Sequence, residues 1–179
     1  MAGATVTNNQ ANFTKSGQYF NLPSGLFSSY TAMSVEAWVT TGVNSDYARI
    51  FQFGAAGNGN TNSVSVCRAP ANVFELLWVS SNGTQYPSLS SASFDSQSNI
   101  HLVVTVSAGD YARLYINGVL KGMTSAVVNQ IPPPTSFYIG KSFEIAPLLI
   151  GSVDEFRIWG GALSATDIAT RYSQGPGEL

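Results

Sequence analysis

The feature that most constrains this chain is the recurrence of short runs rich in Val, Ile, Phe, Tyr and Thr, separated by clusters of Gly, Asn, Ser and Pro. Such runs are typical of β-strands joined by tight turns, and segments with helical periodicity are almost absent. The pattern predicts an all-β fold of two antiparallel sheets packed as a sandwich. The clearest predicted strands are 33–40, 48–54, 63–68, 73–80, 100–107, 112–117, 136–141 and 151–159.

Three local signals predict turns or a change of structure. Asn117-Gly118 is a dipeptide that accepts the positive φ angles of a type I′ hairpin turn. The Ile-Pro-Pro-Pro stretch at 131–134 contains three residues without an N–H, so it must be an edge crossing or a stiff connector. Ser164 followed by Asp167 resembles a capping box and predicts one short C-terminal helix, of one or two turns, to Tyr172.

Length and composition limit the classes of protein to which the chain can belong. With 179 residues and no long linker, we expect a single domain over 1–179. Charged residues make up 10% of the chain, its net charge is −2, and no stretch gathers the basic residues, so we expect no nucleic-acid partner. No apolar segment is long enough to cross a bilayer, so we expect no membrane insertion.

The N-terminal sequence lacks the charged start and apolar run of a secretory signal. We therefore expect a protein that is cytoplasmic or released without a classical signal, or extracellular if this is an excised domain. Cys67 is the one cysteine, so no internal disulfide is possible and a reducing compartment is tolerated.

Four segments carry a resemblance to a known family: 34–39 (SVEAWV), 101–106 (HLVVTV), 114–118 (LYING), and 151–159 (GSVDEFRIW) followed by Ala-Leu-Ser at 162–164. With an N-terminal echo at 13–23, they resemble the laminin-G-like, concanavalin A-like jelly-roll superfamily, which includes pentraxins and legume-type lectins. The resemblance implies a jelly-roll sandwich with one curved sheet and neighbouring chain ends.

Two departures from this family bear on function. Relatives often place Asp residues in the turn before the first-strand Tyr, whereas this chain has Lys-Ser-Gly-Gln at 15–18, and calcium usually needs carboxylate ligands. The Glu-x-Asp-x-x-Glu strand of the superfamily's hydrolases has no counterpart, although glycoside hydrolysis normally needs two carboxyl groups. We therefore expect no metal, no cofactor and no catalytic residues.

The remaining titratable groups favour structural roles. Glu36 shares a strand face with Trp38, and Glu155 shares one with Arg157 and Trp159, which is typical of ion pairs or structural networks. His101 is the one histidine; catalysis with Cys67 or a serine would need a third orienting group that the sequence does not supply. One His and one Cys cannot complete a zinc site.

Sugar recognition needs an aromatic plate together with amides, Arg or carboxylates that bond hydroxyl groups. Trp78 shares a strand face with Phe74 and is either core or platform, whereas Tyr47 and Tyr86 lie beside turns and are either platforms or edge covers. The Gly-Asn loop at 54–62 either contacts ligand or simply turns. The candidate ligand-binding residues are Tyr47, Arg49, Asn58, Asn60, Asn62, Arg68, Trp78, Asn82 and Tyr86.

These observations favour a carbohydrate-binding module or small lectin that binds a glycan or glycoprotein, is not an enzyme and forms a homo-oligomer. The first alternative is a structural, adhesion or particle-forming interaction domain. The second is a glycoside hydrolase with an atypical site.

Overall fold

The computed structural model describes residues 4–7, 10–15, 17–55, 61–133 and 135–177. Two antiparallel sheets form a sandwich, which confirms the predicted fold class. The seven-stranded sheet has the order β1-β2-β13-β4-β9-β10-β11, and the six-stranded sheet the order β3-β12-β5-β6-β7-β8. The elements are β1 (Thr5–Thr7), β2 (Gln10–Phe13), β3 (Phe20–Leu22), β4 (Ala32–Thr41), β5 (Arg49–Gly54), β6 (Ser63–Ala69), β7 (Val73–Val79), β8 (Gln85–Ser93), β9 (Ile100–Ser107), β10 (Asp110–Ile116), β11 (Val119–Val128), β12 (Ser136–Ile139), β13 (Gly151–Trp159) and α1 (Ala165–Gln174).

The inner faces of the two sheets form the core, mostly through alternation of side chains along the strands. In β7, Phe74, Leu76 and Trp78 point inward, whereas the side chains between them point to the outer face. Phenylalanines contribute to the contact between sheets; the rings of Phe137 in β12 and Phe156 in β13, for example, have centroids 5.6 Å apart. Fully burying one such side chain contributes about 2 to 3 kcal/mol.

All eight predicted strands are present as β4, β5, β6, β7, β9, β10, β12 and β13, while β1, β2, β3, β8 and β11 escaped prediction. The missed strands are either three or four residues long or lie at a sheet edge. The strand β8 contains four serines and a proline and is largely exposed, so neither its composition nor its burial carries the strand signal.

The local turn signals correspond to observed geometry. Asn117 and Gly118 have φ angles of 51° and 77°, as a type I′ turn requires, and they join β10 to β11. The Ser164 side chain accepts the Asp167 N–H in a capping box, and α1 then runs for 10 residues, to Gln174 rather than to Tyr172. Of the proline stretch, Pro132 and Pro133 lie in the connection between β11 and β12.

The strand β13 departs from simple alternation. Its pairing with β4 shifts register between Asp154 and Arg157, and Glu155 has a φ angle of 49°. This β-bulge changes where the Asp154 and Glu155 side chains point, which alternation alone does not predict.

The outer faces of both sheets are also covered. The helix α1 packs on the seven-stranded sheet, where Ile168 contacts Val103 and Tyr115. Segment 140–149, whose ends are joined by the hydrogen bond from Leu149 N–H to the Gly140 carbonyl, lies over the six-stranded sheet. No helix within the described ranges has the length and apolarity needed to cross a membrane.

The outermost strands β8 and β11 lie side by side and close one side of the sandwich. The backbone N–H of Met123 in β11 donates to the Ser88 hydroxyl of β8, at 2.8 Å. This bond connects the last strand of one sheet to the last strand of the other.

Two glycines with the same backbone conformation test the packing at the start of segment 140–149. Gly140 and Gly109 both have φ of +82°, but a Cβ on Gly140 would lie 2.7 Å from the buried Phe13 ring, whereas a Cβ on Gly109 meets nothing within 4 Å. We expect Gly109→Ala to cost about 1 kcal/mol and Gly140→Ala about 3 kcal/mol, measured by urea unfolding. Equal losses would show that Phe13 does not restrict this position.

Candidate functional site

A cavity of about 350 Å³ lies on the outer face of the six-stranded sheet, beneath segment 140–149. Strands β5, β7 and β8 supply its floor and one side, and the overlying segment supplies the other side. Its lining residues are Tyr47, Arg49, Glu75, Leu77, Gln85, Ser142, Glu144, Ile145, Ala146 and Pro147.

Strand geometry determines which side chains of β5 and β7 face the floor of this cavity. Because Phe74 and Leu76 of β7 enter the core, Glu75 and Leu77 must face the opposite way, into the cavity. In β5 the pairing with β6 is irregular between Arg49 and Phe51, so Arg49 faces outward opposite Cys67 although Ile50 and Phe51 both enter the core.

Arg49, Glu75 and Cys67 form a buried polar group beneath the cavity. Arg49 is 4% exposed; its Nη1 donates to the Tyr47 carbonyl at 2.8 Å, and its Nε has no hydrogen-bond partner. The Cys67 thiol lies 3.7 Å from Glu75 Oε2, to which it donates. The guanidinium therefore retains donor capacity that the protein does not use.

Burial dominates the ionisation of the two acidic groups in this cluster. It raises the pKa of the Glu75 carboxyl above its usual range, and the positive charge of Arg49 and the thiol hydrogen bond offset only part of that rise. Burial likewise raises the pKa of the Cys67 thiol to about 12, so this cysteine is un-ionised at neutral pH.

Tyr47 lies at the mouth of the cavity in a strained turn. Its φ angle is 67°, its N–H donates to the Arg68 carbonyl, and its side chain is 47% exposed. Arg68 itself is held between Asp46 and Asp95, with its Nε 3.0 Å from Asp95 Oδ2. Arg68 thus supports the turn that presents Tyr47 rather than lining the cavity.

Among the sequence-predicted candidates that the structure describes, Tyr47 and Arg49 line the cavity, and Asn62, Arg68, Trp78, Asn82 and Tyr86 do not. Trp78 is 3% exposed within the core, and Tyr86 stacks on it with centroids 4.7 Å apart, so the core interpretation of Trp78 is correct and the platform interpretation is wrong. Tyr86 packs against the same core and is half-buried, which leaves it poorly placed as a platform.

The two described asparagine candidates, Asn62 and Asn82, lie at turns near Ser80, just beyond the C-terminal end of β7. Asn82 Oδ1 accepts from the Ser80 hydroxyl and from the Thr84 N–H, so this side chain stabilises its own turn. Asn62 has a φ angle of 50° and donates its N–H to the Ser80 carbonyl. Asn58 and Asn60 lie outside the described residues.

Sequence analysis missed several cavity residues, among them Glu75, Gln85 and Glu144. Glu75 could have been found, because it lies between Phe74 and Leu76 and must face away from the core. Glu144 carries no such signal, since it belongs to the irregular segment over the sheet.

A second titratable cluster lies on the other sheet, under α1. Glu36 Oε1 is 2.9 Å from His101 Nε2, Trp159 Nε1 donates to Glu36 Oε2 at 2.7 Å, and Arg171 approaches the same carboxylate at 3.8 Å. His101 is fully buried, and the Arg171 guanidinium lies 4.0 Å from the Trp159 ring centroid. This agrees with the structural role expected for Glu36.

Two further positions bear on the expectations from sequence. Arg157 Nη2 lies 2.7 Å from Glu155 Oε2, as expected for a structural ion pair. In the turn after β2, Gln18 Oε1 accepts the N–H groups of Thr14 and Lys15. Within the described part of the chain, no group of three or more His, Cys, Asp or Glu residues could hold a metal ion.

The Glu36 cluster predicts a pH-dependent stability. Burial opposes ionisation of Glu36, but hydrogen bonds from His101 and Trp159 and the nearby positive charge outweigh it, so the pKa is lowered from 4.5. The ionised carboxylate therefore stabilises the fold above pH 4.5, and this contribution is lost as pH falls through the lowered pKa.

We expect Glu36→Gln to lose about 3 kcal/mol at pH 7 and to differ progressively less from the wild type as the pH is lowered below 4.5, measured by urea unfolding. The control Glu155→Gln disrupts a partly exposed pair and should cost about 1 kcal/mol or less. A difference between Glu36→Gln and wild type that does not change with pH would contradict the assignment.

The sandwich and its cavity can now be compared with known proteins. The chain matches the family model of the concanavalin A-like lectin/glucanases superfamily over residues 14–169. No curated protein matches it.

Solved structures with the same fold have low sequence identity. Domain 4 of AbnA, a GH43 extracellular arabinanase from Geobacillus stearothermophilus, in complex with arabinotriose, has a TM-score of 0.73 at 22% identity, covering 95% of this chain and 80% of that one. The receptor binding domain of botulinum neurotoxin mosaic serotype C/D has a TM-score of 0.72 at 17% identity, covering 97% and 45%. Trypanosoma rangeli sialidase in complex with the inhibitor DANA has a TM-score of 0.70 at 16% identity, covering 94% and 28%.

This chain spans less than half of the toxin and sialidase structures, and the three likenesses concern the fold. The family model covers most of the sequence and includes the strands that carry the cavity. The chain therefore belongs to the concanavalin A-like lectin/glucanases superfamily.

Proposed function

We propose that this domain binds a carbohydrate in the cavity beneath segment 140–149, without catalysing a reaction and without a metal ion. The observation that carries the proposal is the combination of an exposed aromatic ring, Tyr47, with the buried polar pair Arg49 and Glu75 in one cavity. A sugar has an apolar face of C–H groups and a rim of hydroxyl groups, and this cavity offers surfaces for both.

The apolar and polar groups lie on different walls. Leu77, Pro147 and the Tyr47 ring are surfaces for the C–H face of a sugar, whereas Arg49 on the floor has unused donors for hydroxyl oxygens. Gln85 and Glu144 at the rim add further hydrogen-bonding groups. The arabinanase domain is in complex with arabinotriose and the sialidase with the inhibitor DANA, which supports a sugar ligand for this fold by analogy.

A second candidate, glycoside hydrolysis, is favoured by one observation: two carboxyl groups, Glu75 and Glu144, line the same cavity. A carboxyl with a raised pKa, such as Glu75, is suited to act as a general acid. Binding alone is the stronger proposal, because hydrolysis needs the second carboxylate at a fixed separation and Glu144 lies on an exposed, irregular segment. Release of reducing sugar from oligosaccharides would establish the enzyme.

Formation of a homo-oligomer stays a prediction, and so does the alternative of a structural or interaction domain. A shared surface between copies would raise a weak sugar affinity through multivalency. A large assembly on a sizing column together with no glycan binding would favour the structural alternative.

A glycan array, run with and without a chelator, tests the proposal. We expect binding that survives the chelator and that falls about tenfold in Tyr47→Ala, because loss of an aromatic contact costs about 1 kcal/mol or slightly more. Tyr47→Phe keeps the ring and should retain most of the affinity, and Lys121→Ala, on the exposed surface of β11, is the control. Binding that the chelator abolishes, or an unchanged affinity in Tyr47→Ala, would contradict the proposal.

A further inference from the structure

The charges around the cavity are unequal. Among the described lining residues, Arg49 is the one cation, whereas Glu75 and Glu144 are carboxyl groups. Three other cations lie near it: Arg68 is paired with Asp46 and Asp95, Lys141 Nζ lies 4.4 Å from the Tyr19 ring centroid and 4.8 Å from that of Tyr138, and Lys15 lines a neighbouring cavity beyond Pro147. A carboxylate or sulfate placed at the rim of the cavity would therefore face the exposed Glu144 carboxyl group.

The buried pair on the floor compensates its own charge. Arg49 and Glu75 line the same cavity, and the positive charge of Arg49 opposes the effect of burial on the pKa of that carboxyl. The guanidinium thus shares the cavity floor with a carboxyl group, and its unpaired Nε needs a hydrogen-bond acceptor.

A neutral hydroxyl group fits this arrangement best. It accepts from a donor with its lone pairs and donates its proton to a carboxyl oxygen, so one hydroxyl can satisfy Arg49 and Glu75 together. An anionic group has acceptors alone, and it would bond Arg49 only while facing Glu75 and Glu144.

We infer that the cavity selects neutral, polyhydroxylated sugars and rejects their carboxylated or sulfated counterparts, with Arg49 and Glu75 reading hydroxyl groups and Glu144 repelling anions at the rim. This inference rests on the proposed carbohydrate function and narrows it to one ligand class.

The test uses matched ligands on the intact domain. An array that carries neutral oligosaccharides beside their uronic acid, sialylated and sulfated counterparts identifies a neutral ligand, and calorimetry then compares it with the same sugar oxidised at the terminal CH₂OH to a carboxylate. We expect the neutral sugar to bind at least about tenfold more tightly at pH 7 and low salt, because the acidic sugar adds a like-charge contact with Glu144 that the neutral sugar lacks.

Two variants test whether the cavity causes the preference for neutral over acidic sugars. Glu144→Gln should reduce the ratio of neutral to acidic affinity severalfold, whereas Asp110→Asn removes a carboxylate from the other sheet and should leave the ratio as it is in the wild type. Equal or tighter binding of the acidic sugars, or a ratio unaffected by Glu144→Gln, overturns the inference while the proposed function stands. Silence across the whole array overturns both.

Discussion

Alternation of side chains along the strands is the constraint from which both sheets and both functional surfaces follow. Each strand that supplies Phe, Leu and Val to the core must place its intervening side chains on the outer face. In the six-stranded sheet those side chains include Ser65, Cys67 and Glu75, and segment 140–149 buries them. Buried polar groups need hydrogen-bond partners. The polar side chains under segment 140–149 and around the cavity are therefore a consequence of the apolar side chains that the same strands supply to the core.

The polar clusters on the two outer faces differ because α1 covers one of them and segment 140–149 covers the other. Under α1, the Glu36 carboxylate is buried and forms hydrogen bonds with His101 and Trp159. These bonds stabilise the fold. Under segment 140–149, Arg49 lies beside Glu75 at the floor of an open cavity and retains an unpaired Nε. Similar charged groups thus form a buried network on one sheet and line an open cavity on the other.

The strands with apolar periodicity, the Asn117-Gly118 turn and the Ser164 cap were predictable, because each depends on residues adjacent in sequence. The edge strands β8 and β11 were not, since half-exposed strands carry no apolar alternation. For the site, Tyr47 and Arg49 were found as polar residues near a turn, but Trp78 was ambiguous until the register of β7 was known. Glu144 joins the cavity through a long-range contact of an irregular segment, which no local pattern encodes.

The bond between Met123 and Ser88 has a consequence for how the molecule behaves in concentrated solution. An outermost strand normally presents free N–H groups that another chain can extend by strand addition, a common route to aggregation. Here a hydroxyl from the other sheet occupies one of those groups in β11, and Pro87 in β8 has no N–H to offer. A protein with few charged side chains to keep its copies apart thus obtains part of its colloidal protection from the way its own two edges meet.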